Sequence, residues 1–335
     1  MSPMRLFTVA LCALLAWCAF GLFHWAVGDA VFAPDAAACA ALDHRAACWG
    51  VVAHGYRAIL FGGTPPEQRW HAALAAGLLL TLLTLSSLPS CWRRWLGAVW
   101  SIGLAAIAAL TTAGQTDVQS WGGLPLTLFL TVIGCAGGLL LGTLLALGRT
   151  GRSPALRRAC TLYIECLRGV PMITVLFMAS YLVPLLLPGA GLSPLARVLA
   201  ALALFEAAYF AEVLRGGLQA IPAGQYEAAA VLGFGYWQTC GRIVLPQVMR
   251  TMLPAIVNNL IGALKSTSLV VAVGLQDLTG ALQFALADPA WRPFALEAYL
   301  FVGAVYFALC FPLSRYSRFL ESRFRPSSSG RSFNV

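Results

Sequence analysis

The chain has 335 residues, 59% of them apolar and only 10% charged, with a formal net charge of +9 and a mean hydropathy of +0.78. Soluble domains carry about a quarter charged residues, so this composition excludes a soluble globular protein and describes an integral membrane protein. The positive charge says little about nucleic acid, because in such a chain topology places the basic residues first.

Eight apolar segments of about membrane-spanning length follow one another, at approximately 5–23, 72–88, 95–113, 124–147, 170–188, 195–214, 250–274 and 297–314. Runs of this length form helices rather than barrel strands. The expected fold is an all-α polytopic protein. The first segment, with Trp17 and Phe20 in its core, reads as an uncleaved anchor, although Val31-Phe32-Ala33 would pass as a signal-peptide cleavage site. Between the first two segments lies a loop at about 24–71. His24, His44, His54 and His71 lie in or beside it, at no metal-ligand spacing, and read as solvated loop residues. Cys39 and Cys48 are the only cysteines of that loop. They pair if it meets an oxidising compartment and stay thiols otherwise. The other cysteines lie mostly within apolar runs, as small hydrophobic residues.

Orientation follows from arginine. With the N-terminus inside, sixteen arginines between Arg5 and Arg331 fall on inner segments, and Arg45, Arg57, Arg69, Arg197 and Arg292 fall outside. That asymmetry obeys the positive-inside rule and places both termini in the cytoplasm. The chain divides into an extension at 1–115 holding three spans, a five-span part at 116–320, and a tail at 321–335. The end of the tail, 325-RPSSSGRSFNV-335, has the composition of a disordered segment.

In the fourth segment Gly134, Gly138 and Gly142 recur every fourth residue and share one helix face, where another backbone can approach closely. Ionisable groups inside spans are costly and face protein or water. Glu212 and Arg215, three apart, can form a structural ion pair. Glu206 lies deeper with no opposite charge within a turn. It needs a partner from elsewhere, with Asn258 and Asn259 of the seventh segment and a substrate ammonium group as candidates, or a water-lined cavity, or a proton. After the sixth segment, on the cytoplasmic side, Pro222 opens a short helix over about 222–234 and Gly233 ends it. Lys265 is the only lysine and follows Leu264, so no phosphate-binding GxxxxGK[ST] loop exists. GxSxG and HExxH are also absent. The chain is not an enzyme by these signs, and if ATP drives it, another chain hydrolyses the ATP.

Glu227-Ala228-Ala229, three residues, Gly233, nine residues and then Ile243-x-Leu245-Pro246 resemble the EAA signature of permease subunits of bacterial ABC importers. Arg168-Gly169-x-Pro171, Tyr209-x-x-Glu212-x-x-Arg215-Gly216-Gly217, Gly224-Gln225-x-Glu227, and Asn258 seven residues before Lys265-x-Thr267-Ser268 resemble the polar amino-acid permeases within that family. In the extension, Ala47-Cys48-Trp49 and Pro66-Glu67-x-Arg69-Trp70 resemble one subunit of the general L-amino-acid permease pair. In that subgroup a cysteine pair recurs in the outer loop, which implies a Cys39–Cys48 bond.

The resemblance implies a five-helix type I permease core preceded by three extra helices, in the bacterial inner membrane. It implies two ATPase subunits carrying the ATP and Mg, a second and different permease subunit, and a periplasmic amino-acid-binding protein. No cofactor is implied for this chain. Gln225, Glu227, Ala228, Ala229, Gly233, Ile243, Leu245 and Pro246 would couple to the ATPase. Glu206, Tyr209, Asn258, Lys265, Thr267 and Ser268 are substrate-path candidates. Two departures stand out: Ser266 occupies the place of the family's usual aspartate after the lysine, and Glu206 stands where a small or hydroxylated residue is expected. The alternative function is an ion-gradient-driven secondary amino-acid transporter.

Overall fold

A computed structural model describes residues 3–41, 46–87, 96–113, 118–151, 153–189 and 191–324. The helices, in chain order, are α1 (Pro3–Phe23), α2 (Ala36–Ala40), α3 (Gly50–Phe61), α4 (Arg69–Ser87), α5 (Leu96–Ala113), α6 (Gly123–Thr150), α7 (Pro154–Gly169), α8 (Met172–Phe177), α9 (Val183–Leu186), α10 (Pro194–Gln219), α11 (Ala223–Val231), α12 (Tyr236–Thr239), α13 (Leu245–Ser266), α14 (Leu278–Ala285) and α15 (Ala295–Phe324). The described residues form no extended strand, only two isolated bridges. The protein is all-α, as the apolar segments imply.

Among the described residues, five helical stretches are long and apolar enough to cross a bilayer: Phe7–Gly28, Pro66–Ser86, Gly123–Thr150, Tyr236–Val273 and Arg292–Phe324. The expected fifth segment has a different build. Helices α7 and α8–α9 meet at a bend of 105° and count as a sixth span only together. Residues 172–186 alone reach about 22 Å at 1.5 Å per residue, short of a bilayer core of about 30 Å. Pro171 makes the break, because the residue before proline is pushed out of helical conformation, and Val170 is extended. A search for unbroken apolar runs passes over α7 because it is amphipathic, its apolar residues alternating along the chain with Arg157, Arg158, Glu165 and Arg168. At 26 residues, α10 is about 39 Å long and carries four charged side chains.

The closest helix pair is α6 with α10. A methyl group at Gly138 would stand 2.8 Å from the Glu206 Cβ, and one at Gly142 would stand 2.8 Å from the Ala207 carbonyl oxygen. The glycine face therefore serves contact within the chain. The extension packs on this core: Ala72, Ala75 and Leu79 of α4 share one apolar cluster with Leu128 and Leu130 of α6 and Leu202 of α10. Helix α1 stands apart, with Phe7, Trp17 and Phe20 exposed.

The segment expected as an outer loop is largely helical. The Val31 amide donates to the Ala47 carbonyl there, and Cys39 and Cys48 are joined in a disulfide with Cα atoms 5.5 Å apart. These cysteines, with Val51 and Ile59, are buried against Leu278, Leu282, Trp291 and Phe294. The Cys48 amide donates to Glu297 Oε1 at 3.0 Å, and the Gly63 amide donates to Gln276 Oε1 at 3.0 Å. This segment thus caps α14 and the N-terminal end of α15. At its C-terminal end α15 continues to Phe324, so residues 321–324, expected in the tail, are helical. Residues 325–335 lie outside the described residues, as do His44, Arg45, Arg93, Arg94 and Arg152.

Candidate functional site

The elbow between α10 and α13 is built residue by residue from its punctuation. Pro222 supplies an extended cap, and α11 runs for nine residues. At its end Gly233 adopts φ +78°, the left-handed conformation that costs a β-carbon. The amide of Gly233 then donates to the Ala230 carbonyl, and the Phe234 amide to that of Ala229, both at 3.0 Å. These bonds satisfy carbonyls that a helix end leaves open. Gln247 of α13 donates to Gln225 Oε1 at 3.3 Å and to the Ile243 carbonyl at 2.8 Å, which ties α11 to the foot of α13. Ala229 and Val244 are buried and hold the elbow to the bundle. Glu227, Ala228, Gly233 and Pro246 are exposed, while Ile243 and Leu245 are half-buried. Val231, Leu232 and Trp237 are 87%, 73% and 72% exposed. A soluble helix end would not leave three large apolar side chains bare, and clusters of this kind mark interaction surfaces.

Above the elbow lies a charge cluster. Glu212 accepts from Arg215, as the spacing suggested, and also from Arg149 of α6 at 3.0 Å, with Arg168 of α7 at 3.8 Å. Arg149 reaches Glu165 of α7 at 3.0 Å. One carboxylate therefore gathers three guanidinium groups from three helices. Sequence spacing exposes only the i,i+3 pair; Arg149, Glu165 and Arg168 are distant in the chain and carry no periodic signal.

The substrate-path candidates separate into three places. Lys265 and Ser268 line a cavity of about 310 Å³ together with Thr279, Tyr299 and Tyr306. The two tyrosines are seven apart on α15 and so share a face, which is the sequence signal that could have found them. Thr267 is not among the lining residues: it is buried, and its hydroxyl donates to the Leu264 carbonyl at 2.8 Å, closing the end of α13. Glu206 lies in a second place, 6% exposed against Gly138 between α6 and α10. It has no hydrogen bond to Asn258 or Asn259, the partners its isolation suggested; Asn258 is exposed and the Asn259 Nδ2 is buried without a partner. Tyr209 belongs to a third place. Its ring lies 5.1 Å from that of Phe205 and 6.0 Å from the Arg168 guanidinium, beside the charge cluster.

Asp277 was not singled out by sequence. It is fully buried, caps α14 through the Gly280 amide at 2.9 Å, and accepts from the Tyr306 hydroxyl at 3.0 Å. Burial pushes its carboxyl above the usual carboxylate range, against the hydrogen bonds that favour the charged form.

Residues 138–326 match the model of the binding-protein-dependent transport system inner membrane component. The chain belongs to this family. It is 42% identical over 293 residues to the inner membrane amino-acid ABC transporter permease protein YhdY of Escherichia coli (strain K12), covering 83% of this chain and 78% of that one. It is 34% identical over 343 residues to the glutamate/glutamine/aspartate/asparagine transport system permease protein BztC of Rhodobacter capsulatus, covering 83% and 79%. A crystal structure of an amino acid ABC transporter with histidines superposes with a TM-score of 0.52 at 29% identity, over 59% of this chain and 90% of that chain. The protein is thus a multi-pass inner-membrane component of a transport system. Both of the named permeases align over residues that include part of the extension, since 83% of this chain is more than residues 116–335 can supply.

Proposed function

We propose that this chain is a permease subunit of an ATP-driven importer of L-amino acids, polar or general in range, and that α11 is its coupling helix. The elbow carries the reading. A nine-residue helix lies in the chain between α10 and α13 and is tied to the foot of α13 through Gln225; the elbow has the Glu227-Ala228-Ala229…Gly233 spacing and leaves Val231, Leu232 and Trp237 exposed. A short, tied helix of this kind passes displacement from a docked partner into the spans above it, as in rigid-body switching. The amino-acid substrate is supported by what the relatives are named for.

In this reading both termini are cytoplasmic and the chain itself is not an enzyme. Two copies of an ATPase subunit hold the ATP and Mg, and meet Gln225, Glu227, Ala228, Ala229 and Gly233. Ile243, Leu245 and Pro246 set the angle of the elbow. A second, related permease completes the path, and a periplasmic binding protein delivers the amino acid. Glu206, Tyr209, Asn258, Lys265 and Ser268 line or border that path, and Thr267 supports it from behind. Reconstitution with the ATPase and the binding protein tests the reading. Vanadate should abolish uptake and an uncoupler should leave it unchanged. The reverse pattern would instead sustain the ion-gradient alternative, which neither YhdY nor BztC favours by its name.

A further inference from the structure

Arg197 lies in the first turn of α10, one turn after the Ser193 cap. A helix N-terminus carries a partial positive charge that disfavours a cation there, and within a bilayer an unpaired cation is costlier still. Among the described residues no carboxylate pairs with it. Its Nη1 donates to the Ser180 carbonyl at 2.6 Å. Its Nε is buried without a hydrogen-bond partner, and so is the Ser180 hydroxyl.

Ser180 belongs to a π-helical turn, Met178–Leu182, between α8 and α9. Such turns occur inside α-helices frequently at functional sites. The geometry at Arg197 is selective. Nη1 is anchored, whereas Nε and Nη2, the edge that takes a carboxylate through two parallel bonds, have no partner among the described residues. The orphaned Ser180 hydroxyl supplies a further donor beside the anchoring carbonyl. Two buried polar atoms left unpaired on Arg197 and Ser180, residues already joined through the Ser180 carbonyl, are an expense a folded protein avoids unless a ligand relieves it.

From this we infer that Arg197 and Ser180 form a carboxylate-binding site at the outer end of α10, which receives the carboxylate of the amino acid as it enters the membrane path. The inference rests on the amino-acid import reading and adds a site that reading does not contain. Arginine is suited to it by its fixed charge and its planar fork. The Arg197–Ser180 site faces the extracytoplasmic half, away from the Glu212 cluster, whose arginines are already neutralised in part by Glu165 and Glu212.

The test is uptake of an equimolar mixture of radiolabelled L-amino acids by the complete reconstituted importer. Arg197→Gln keeps an amide able to donate to the Ser180 carbonyl but removes the charge. It should slow initial uptake about ten- to a hundredfold, the loss of one charge-assisted bond, while the assembled complex keeps its melting temperature. Arg197→Lys should recover part of the rate, and Ser180→Ala should lose less than Arg197→Gln. Uptake by Arg197→Gln at the wild-type rate overturns the site. So does loss of the complex on purification with Arg197→Gln and Arg197→Lys alike, because that result assigns the guanidinium to a carboxylate of a partner subunit. A wild-type importer that carries no amino acid would sink the broader reading along with it.

Discussion

Alanine at Gly142 would bring a methyl group to 2.8 Å from the Ala207 carbonyl oxygen and from the Phe210 Cβ, and to 3.0 Å from the Ala211 amide. Ordinary contacts begin at 3.4 Å, so α10 must retreat by roughly 0.6 Å. Two of the three obstructing atoms are backbone, which cannot swing aside. Overpacking costs about 1–3 kcal/mol, and a rigid backbone contact belongs at the upper end. Alanine recovers up to about 1 kcal/mol of helix propensity, leaving a net loss of about 1–2 kcal/mol. Gly77 of α4 is the internal control, since a methyl there meets nothing within 4 Å and should be neutral or stabilising. Gly134 lies between them, since a methyl there would stand 3.2 Å from the Leu202 Cβ, a milder crowding than 2.8 Å. Thermal melting of the purified complex should therefore rank Gly142→Ala lowest, then Gly134→Ala, then Gly77→Ala. A Gly142→Ala complex that melts with or above Gly77→Ala refutes the close α6–α10 approach.

Removing the shared carboxylate in Glu212→Gln strands three guanidinium groups. With Glu212 about 25% exposed, the cost falls between surface and buried limits, at about 2 kcal/mol. Glu165→Gln, at 55% exposure, should cost under about 1 kcal/mol, and equal melting losses for the two would remove Glu212 from the centre of the cluster. Opening the nine-residue separation of Cys39 and Cys48 releases about 2–3 kcal/mol of loop-closure entropy. Cys48→Ser, and reductant on the wild type, should expose the outer segment to protease at equal rates, whereas a wild type indifferent to reductant denies the bond. Glu206→Gln should lower the ratio of arginine to glutamate uptake several-fold if the carboxylate meets the substrate. An unchanged ratio would assign Glu206 to packing alone.

The membrane class, the helical fold and the elbow were legible in one dimension, because each is written in local chemistry. Apolar run length decides spanning, and Pro222 and Gly233 bracket α11 by their own backbone limits. The ion pair of Glu212 with Arg215 was legible for the same reason, being one helical turn apart. Helix α7 was not, since four charged residues break its apolar run along the chain and Pro171 hides that it joins α8 through a 105° bend.

Everything that depends on which helix faces which came from the tertiary structure alone. The packing of α6 on α10 turned an ambiguous glycine stripe into an internal seam, brought Arg149 and Arg168 to Glu212, and sealed Glu206 away from the Lys265 cavity. It also stitched the outer segment to Glu297 and Gln276, and left an edge of Arg197 unpaired beside Ser180. Sequence periodicity reports which face of a helix is apolar. The identity of the surface that face meets is set by non-local contacts, which no spacing along the chain encodes.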